Sequence, residues 1–581
     1  MQPKFQLTRL ALSYWTSRES LSAWTFTLLV TVCTIIIVML NLLLNKWQAG
    51  FYNQLQQYNV AGFMDTLLQF LFISCIYVVS SGYQAYFRLI LQLRWRQWLT
   101  KRYIQLWLHN RTYYHLNILG SNIDNPAQRI SEDVNLFVTH TLDLILGLLR
   151  HTVTLVAFSM VLWQLSGTIT VAWHGQKFII SGYMVWAAFL YSALGTWVTV
   201  RVGRPLVTQS VNQQTNEAEF RACLDRLKEH DECVVLYGGE SKEQLNLMKH
   251  FQKIALNCLH IATSTKTLTL LSAAYSQGSV VFAFLVAAPR YFNNEIQLGQ
   301  LFEISGAYWY VHSALSYIID SYNKVALWKA LTYRLDHFSF AMTEVQHLAR
   351  TEGSIMLHRK PCLEIANLTV LSLSGEKLIN NMTFDLQMKD RLLISGPTGS
   401  GKTTLFRTLA GVWPNFTGQV IKPANQYIMF LPQTPYFPID TLRNVILYPH
   451  VTQTYSDEKL AEILRRCKLP QLVSKLSQVN DWGKLLSVGE QQCLSIARAI
   501  LHQPEWLFLD EATASMDTET EHHMYRLLQQ TMPNTALISI GHRETLHEHH
   551  NLNLHIDKAG NWHLRTLGNP SNPNNKTAFI L

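Results

Sequence analysis

Charge is scarce in this chain. Asp, Glu, Lys and Arg supply 15% of its residues, while hydrophobic types supply 48%. Ordinary soluble domains carry about a quarter charged residues, so this balance excludes a chain that is water-solvated throughout. Cysteine is also thinly used. The eight present, Cys33, Cys75, Cys223, Cys233, Cys258, Cys362, Cys467 and Cys493, form no C-x-x-C pair, which excludes a zinc-ribbon or dithiol framework. Free thiols outside the apolar runs fit a reducing compartment. The first ten residues carry Lys4 and Arg9 but no apolar core with a cleavage site, so no removable signal peptide is expected. The net charge of +9 does not point to nucleic acid. Much of it flanks hydrophobic runs, where the orientation rule for membrane proteins places it.

What is present is long and apolar. A helix needs about 20 apolar residues to cross a bilayer, and six candidates lie before residue 323, near 20–45, 63–87, 142–167, 178–201, 266–289 and 301–322. The segment after the second carries Arg88, Arg94, Arg96, Lys101, Arg102 and Arg111. The segment after the fourth carries Arg201, Arg204, Arg221, Arg226 and Lys228, whereas the opposite loops carry only Lys46, Lys177 and Arg290. Basic loops stay inside, so both chain ends are expected in the cytoplasm. The expected division is a transmembrane domain over 1–340, a polar linker over 341–360, an α/β nucleotide-binding domain over 361–565 and a disordered tail over 566–581. Asp143 and Arg150 flank the third span and read as snorkelling or mutually paired groups. The Tyr237-Gly238-Gly239 stretch reads as a turn between cytosolic helices. Glu303, at the start of the sixth span, is a candidate contact for a cationic substrate, with a solvated carboxylate at a helix N-terminus as the plainer reading.

The soluble part carries chemistry. Gly396-Pro397-Thr398-Gly399-Ser400-Gly401-Lys402-Thr403 follows the strand-like run 391–395 and opens a helix-like run from Thr404. This is the G-x-x-x-x-G-K-[ST] phosphate loop in the context it needs. Its glycines let backbone N–H groups close on phosphate at a helix N-terminus. Lys402 reaches the outer phosphates and Thr403 can ligate Mg²⁺. Further motifs follow in order: Leu431-Pro432-Gln433, Ser487-Val488-Gly489-Glu490-Gln491-Gln492, an apolar strand ending in Asp510-Glu511, Ser515-Met516-Asp517, and Gly541-His542-Arg543. His547, His549, His550 and His555 crowd near His542 but meet no metal-ligand spacing, so solvated surface histidines are expected.

Together these motifs resemble the ATP-binding cassette of ABC transporters. The resemblance implies ATP and Mg²⁺ as cofactors. Asp510, with Thr403 and Gln433, would serve the metal. Glu511 would orient and deprotonate the water, His542 would contact the γ-phosphate, and Asp517 would link two sites. Ser487, Gly489 and Glu490 belong to the signature loop, which in this family completes the site of a partner cassette. One cassette per chain therefore implies a homodimer. The sequence departs from the family pattern at Val488, at Cys493 and over 370–375, where no aromatic residue stands to stack the base.

The membrane half narrows the resemblance. Asn125-Pro126-Ala127-Gln128-Arg129-Ile130-Ser131-Glu132-Asp133, Glu217-Ala218-Glu219-Phe220-Arg221 and the run Ala314 to Tyr322, with Gly411-Val412-Trp413-Pro414 in the cassette, look like SbmA/BacA-type transporters fused to a cassette and their subfamily D relatives. The resemblance implies the six-helix exporter-type ABC fold in a bacterial inner membrane. It also implies uptake of bulky hydrophilic solutes such as cobalamin or antimicrobial peptides. An exporter or translocase of lipid or fatty acyl-CoA is the alternative, and a non-transporting ATP-gated membrane partner a further one.

Overall fold

The computed structural model describes residues 12–119, 125–173, 176–293, 295–348, 353–450 and 455–567. The tail from 568, part of the segment read as disordered, lies outside them. The chain divides into two units, one of Met1–Leu106 with Ile123–Phe340, the other of Trp107–Asn122 with Ala341–Leu581.

The first unit is a bundle of long helices: α1 (Ser20–Gln56), α2 (Val60–Leu108, whose last turn enters the second unit), α4 (Val134–Ser166), α5 (Tyr183–Glu229), the short α6 (Asp231–Tyr237), α7 (Glu240–Phe292), α8 (Leu298–Asp320) and the start of α9 (Tyr322–Leu348). The missing number, α3 (Thr112–Ile118), belongs to the second unit. The 53 residues of α7 rise about 1.5 Å each, roughly 80 Å in all, far beyond the ~30 Å of a bilayer core. Among the described residues, five helices are long and apolar enough to cross a membrane.

α8 is not among those five, although the sequence reading places a sixth span there. It carries Gln300, Glu303, His312 and Asp320, and it packs against α1, α4, α5 and α7. A helix enclosed by other helices faces protein, so it need not be lipophilic. Its seam with α1 is polar and close. Asn45 Nδ2 donates to the Glu303 carbonyl at 3.1 Å, Asn53 Oδ1 accepts from Gly299 N at 2.9 Å, and the Tyr52 and Phe302 rings stack at 4.1 Å. α5 and α7 are clasped by Tyr191, which donates to the Tyr275 carbonyl at 2.7 Å and stacks on its ring.

Several sequence expectations need correction here. The fourth helix starts at Tyr183, not 178, because Thr168–Trp173 (β1) and Gln176–Ser181 (β2) form an antiparallel hairpin. β-Branched residues fit a pleated strand as well as an apolar helix. Asp143 pairs with Arg88 of α2 rather than with Arg150. Residues 341–348 continue α9 as helix, and Ser354–His358 forms strand β3, so most of the supposed linker is regular structure. Gly238 sits at φ +63° as the left-handed cap of α6, and Gly239 precedes α7.

The second unit holds two larger sheets and a two-stranded antiparallel pair, Asp440–Thr441 with Val479–Asn480. β3, β4 (Cys362–Leu371), β5 (Lys377–Gln387) and β7 (Phe416–Pro423) form one, in the order β3-β7-β4-β5. β6 (Arg391–Ser395), β8 (Ile428–Leu431), β9 (Trp506–Asp510), β10 (Ala536–Ile540), β11 (Leu552–Ile556) and β12 (Trp562–Thr566) form the other, in the order β12-β11-β6-β10-β9-β8. Four of its five pairings are parallel, and that of β11 with β12 is antiparallel. β9 and β10 are buried at every position, as parallel strands covered on both faces must be. Helices α10 (Lys402–Ala410), α11 (Leu442–Leu447), α12 (Asp457–Arg466), α13 (Val488–His502) and α14 (Thr518–Thr531) complete the unit.

Residues 107–122, assigned from sequence to the membrane domain, belong with this second unit. Ile118 of α3 packs on its apolar core. Arg111 Nη1 donates to the Gly411 carbonyl at 2.8 Å, and Gln346 Nε2 donates to Thr112 Oγ1 at 2.8 Å.

Candidate nucleotide site

Strand register builds the site. Asp510 lies beside Ile540, and Ile540 beside Ile394. The loops leaving β6, β9 and β10 therefore emerge at one carboxyl edge, where open parallel sheets bind ligands. The first loop is the phosphate loop, the second begins with Glu511, and the third holds Gly541 and His542.

The phosphate loop needs its glycines. Gly396, Gly399 and Gly401 have φ of +144°, +84° and +88°, where a side chain is strained. A Cβ on Gly396 would also lie 2.1 Å from the Ile556 carbonyl oxygen. Lys402 is buried at the start of α10, and its Nζ donates to the carbonyls of Gly396 and Pro397, each at 2.8 Å. Burial pulls its pKa down, while Glu511 and Asp510 act against that shift. Ser400 Oγ is buried with no hydrogen-bond partner among the described residues. A buried hydroxyl without a partner is costly, and a phosphate oxygen would satisfy it. Thr398, Thr403 and Thr404 line the same turn.

Asp510 ends β9 with its side chain buried. Burial first, then the neighbouring Glu511 charge, push its carboxyl up to about 6, against the pull of Arg407 and Lys402. A carboxylate in that position suits a cation. With Thr403 and Gln433 it supplies an all-oxygen set of the kind Mg²⁺ takes.

Glu511 is the geometric centre. Its backbone is left-handed at φ +48°, a costly conformation away from glycine. Its Oε1 lies 3.3 Å from His542 Nε2, and its Oε2 accepts from Gln433 Nε2 at 2.9 Å. Three sequence-predicted residues from three segments thus meet on one carboxylate.

The other predicted residues stand apart from that cluster. Ser487 caps α13 in a reciprocal box with Glu490; the hydrogen bond from the Ser487 backbone is the main influence holding the Glu490 pKa low. Asp517 caps α14, accepting from Thr520 N at 2.7 Å and Thr520 Oγ1 at 2.8 Å. Among the described residues no hydrogen bond joins Ser487, Gly489, Glu490 or Asp517 to the phosphate loop. Glu303 belongs to the first unit.

Three supporting side chains had no role assigned from sequence. Gln492 is buried on α13. Its Nε2 lies 3.5 Å from the Glu511 carbonyl oxygen, and its Oε1 accepts from Ser515 N at 3.0 Å. Glu521, on α14, is 2% exposed and pairs with Arg543. The signal available in sequence was adjacency alone, since Gln492 ends the signature run and Arg543 follows His542. The histidine cluster also differs from expectation. His549 and His550 are buried, not solvated. His549 Nε2 meets His522 Nδ1 at 2.8 Å, and His550 bridges the Leu546 carbonyl and Ser539 Oγ.

Comparison with known proteins agrees with this geometry. Residues 7–292 match the family model for ABC transporter transmembrane region 2, and residues 379–514 match the model described as ABC transporter. An uncharacterized ABC transporter ATP-binding protein of Haemophilus influenzae is 33% identical over 554 residues, covering 94% of this chain and 91% of that one. The inner membrane ABC transporter ATP-binding protein YddA of Escherichia coli is 28% identical, covering 91% and 93%. The human lysosomal cobalamin transporter ABCD4 is 27% identical, covering 98% and 96%. Among solved structures, a bacterial Atm1-family ABC exporter with ATP bound superposes with a TM-score of 0.71 at 16% identity, covering 94% of each chain. That likeness carries the exporter-type fold alone.

Proposed function

Because this chain belongs to the ABC transporter family, we propose that two copies of it form an ATP-hydrolysing importer of bulky hydrophilic solutes, of the cobalamin or peptide class. Its place is a bacterial inner membrane, with both termini in the cytoplasm. The observation that carries the hydrolytic part is the Glu511 carboxylate held between His542 and Gln433, at the same sheet edge as the loop of Lys402. Glu511 is the general base for the attacking water, and His542 and Gln433 aim its two oxygens. Lys402 and the loop N–H groups stabilise charge on the transferred phosphoryl. Mg²⁺, when bound by Thr403, Gln433 and Asp510, neutralises charge on the phosphates.

The dimer is supported by what one copy leaves unfinished. Ser487 and Gly489 lie on an exposed helix start with no bond to their own phosphate loop, so they are free to close on the nucleotide of a second copy placed head to tail. Size supports it too. A recess of ≈200 Å³ lined by Gln48, Ser279, Ser305, Tyr308 and Trp309 opens in the first unit. Sites for drug-sized ligands run from roughly 300 to 1,000 Å³. A bulky passenger would not fit that recess alone. The solute class leans on the cobalamin transporter of comparable length, and the direction on the resemblance to SbmA/BacA-type transporters.

The test is Glu511→Gln in purified full-length protein. Hydrolysis should fall by about 10² to 10⁴, the span of general-base catalysis, while binding of a fluorescent ATP analogue persists. Hydrolysis at the parental rate would remove Glu511 as the base. ATP-dependent flux of labelled cobalamin or peptide in everted against right-side-out vesicles reads direction, and flux only outward would replace import with export.

A further inference from the structure

Glu521 sits where three active-site segments meet. Its Oε1 accepts from Thr513 Oγ1 at 2.7 Å. Its Oε2 accepts from Arg543 Nη1 at 3.3 Å and from Thr545 Oγ1 at 3.2 Å. Its backbone N–H donates to the Asp517 carbonyl at 2.9 Å. Thr513 lies two residues after Glu511, Arg543 directly follows His542, and Asp517 is the cap of the helix that carries Glu521.

The second half of the arrangement is Arg543. Its guanidinium donates to the carbonyls of Met516 and Ala514, each at 2.9 Å. The loop from Glu511 to Asp517 is thus clamped by the residue next to His542, and the clamp is oriented by one buried carboxylate. Gln492 holds the same loop from the opposite side through Ser515. Buried polar networks of this kind are rigid when every member is satisfied, and removing one charge leaves its partner unpaired.

We infer that Glu521 is a positioning residue for hydrolysis: it fixes the spacing of Glu511 and His542 and ties that spacing to the Asp517 loop. It touches neither nucleotide nor water. Movement of Asp517, which the family resemblance implies links two sites, would reach the Glu511–His542 pair through this carboxylate. The inference rests on the hydrolytic reading given above and adds to it a route by which one cassette senses the other.

The experiment is a double-mutant cycle in the full-length protein reconstituted in nanodiscs. Hydrolysis is followed as single-turnover rate and as steady-state kcat and KM. Glu521→Gln removes the charge at constant size. We expect kcat to fall ten- to a hundredfold, KM for ATP to stay within about twofold, and the Hill coefficient for ATP to drop towards 1. If Glu521 acts through His542, Glu521→Gln combined with His542→Ala should be no slower than His542→Ala alone. Thr513→Val, which removes one hydroxyl at nearly constant volume, should show the same kcat-selective loss at two- to fivefold, and it carries the test if the Gln variant does not fold. Parental kcat in both variants would overturn the proposal. So would a Glu521→Gln loss that adds in full to the His542→Ala loss, because a purely structural role predicts additivity. Glu511→Gln run alongside separates the two readings. A loss there with none at Glu521 refutes the positioning role only, whereas no loss at Glu511 refutes the hydrolytic reading beneath it.

Discussion

Acid should loosen the cassette through His550. The residue is 6% exposed, and its ring makes two bonds, the second of which needs the neutral form. Nδ1–H donates to the Leu546 carbonyl at 2.7 Å, and Nε2 accepts from Ser539 Oγ at 2.9 Å. Burial pushes its pKa down to about 4, with the Leu546 carbonyl acting against that shift. In the unfolded chain a histidine titrates near 6.5. The unfolded state therefore takes up a proton first as pH falls, and stability is lost below about 6.5 until the folded ring titrates near 4. Linkage gives about 1.4 kcal/mol per pH unit inside that window and about 2 kcal/mol between pH 7 and pH 5. The buried His549, whose pKa is likewise lowered by burial and by His522, acts with the same sign. The assay is hydrogen exchange, corrected for intrinsic rate, on peptides covering β10 and α14 in the full-length protein. Protection in those peptides should fall between pH 7 and pH 5 by about the factor that 2 kcal/mol implies, roughly thirtyfold. His550→Asn should be less protected at pH 7 but markedly flatter with pH. An equal pH slope in parent and variant would refute the argument, because the slope would then come from other groups.

Two further predictions follow from the site geometry. Gly396→Ala should abolish binding of a fluorescent ATP analogue, since its Cβ would sit 2.1 Å from the Ile556 carbonyl oxygen; retained affinity would show that the loop can shift. Ser487 divides capping from catalysis: Ser487→Asn keeps a good N-cap with an N–H that can still donate to Glu490, and should leave the thermal midpoint nearly unchanged while cutting dimer ATPase at least tenfold, whereas Ser487→Ala should lose about 1 kcal/mol of stability as well. Parental ATPase in the Asn variant would reduce Ser487 to a helix cap.

The phosphate loop, the carboxylate pair ending β9 and the histidine after β10 were legible because each is a residue type at a strand end, and chain order alone delivers the strand ends to one edge. Glu521 was not legible in that way. Nothing in Thr518-Glu519-Thr520-Glu521 separates the buried carboxylate of Glu521 from the exposed one of Glu519. Its burial follows from Arg543, Thr513 and Thr545 arriving from other segments. The histidines failed for the same reason. His549 and His550 are polar by type, but Ser539, Leu546 and His522 supply partners that permit burial.

The membrane half shows the complementary limit. Apolar runs mark helices that face lipid, and α1, α2, α4, α5 and α7 satisfy that rule. α8 does not, because its neighbours are α1, α4, α5 and α7 rather than lipid. Phe178–Ser181 reads as the start of the fourth span, although it belongs to the strand Gln176–Ser181 and not to a helix. Hydropathy therefore reports the solvent around a segment rather than its path across the bilayer. A helix enclosed in the bundle can carry Glu303, Tyr308 and His312 where a lipid-facing one could not carry them cheaply. Ser305, Tyr308 and Trp309 of α8 line the recess of the first unit, and the Tyr308 hydroxyl is buried there without a hydrogen-bond partner among the described residues.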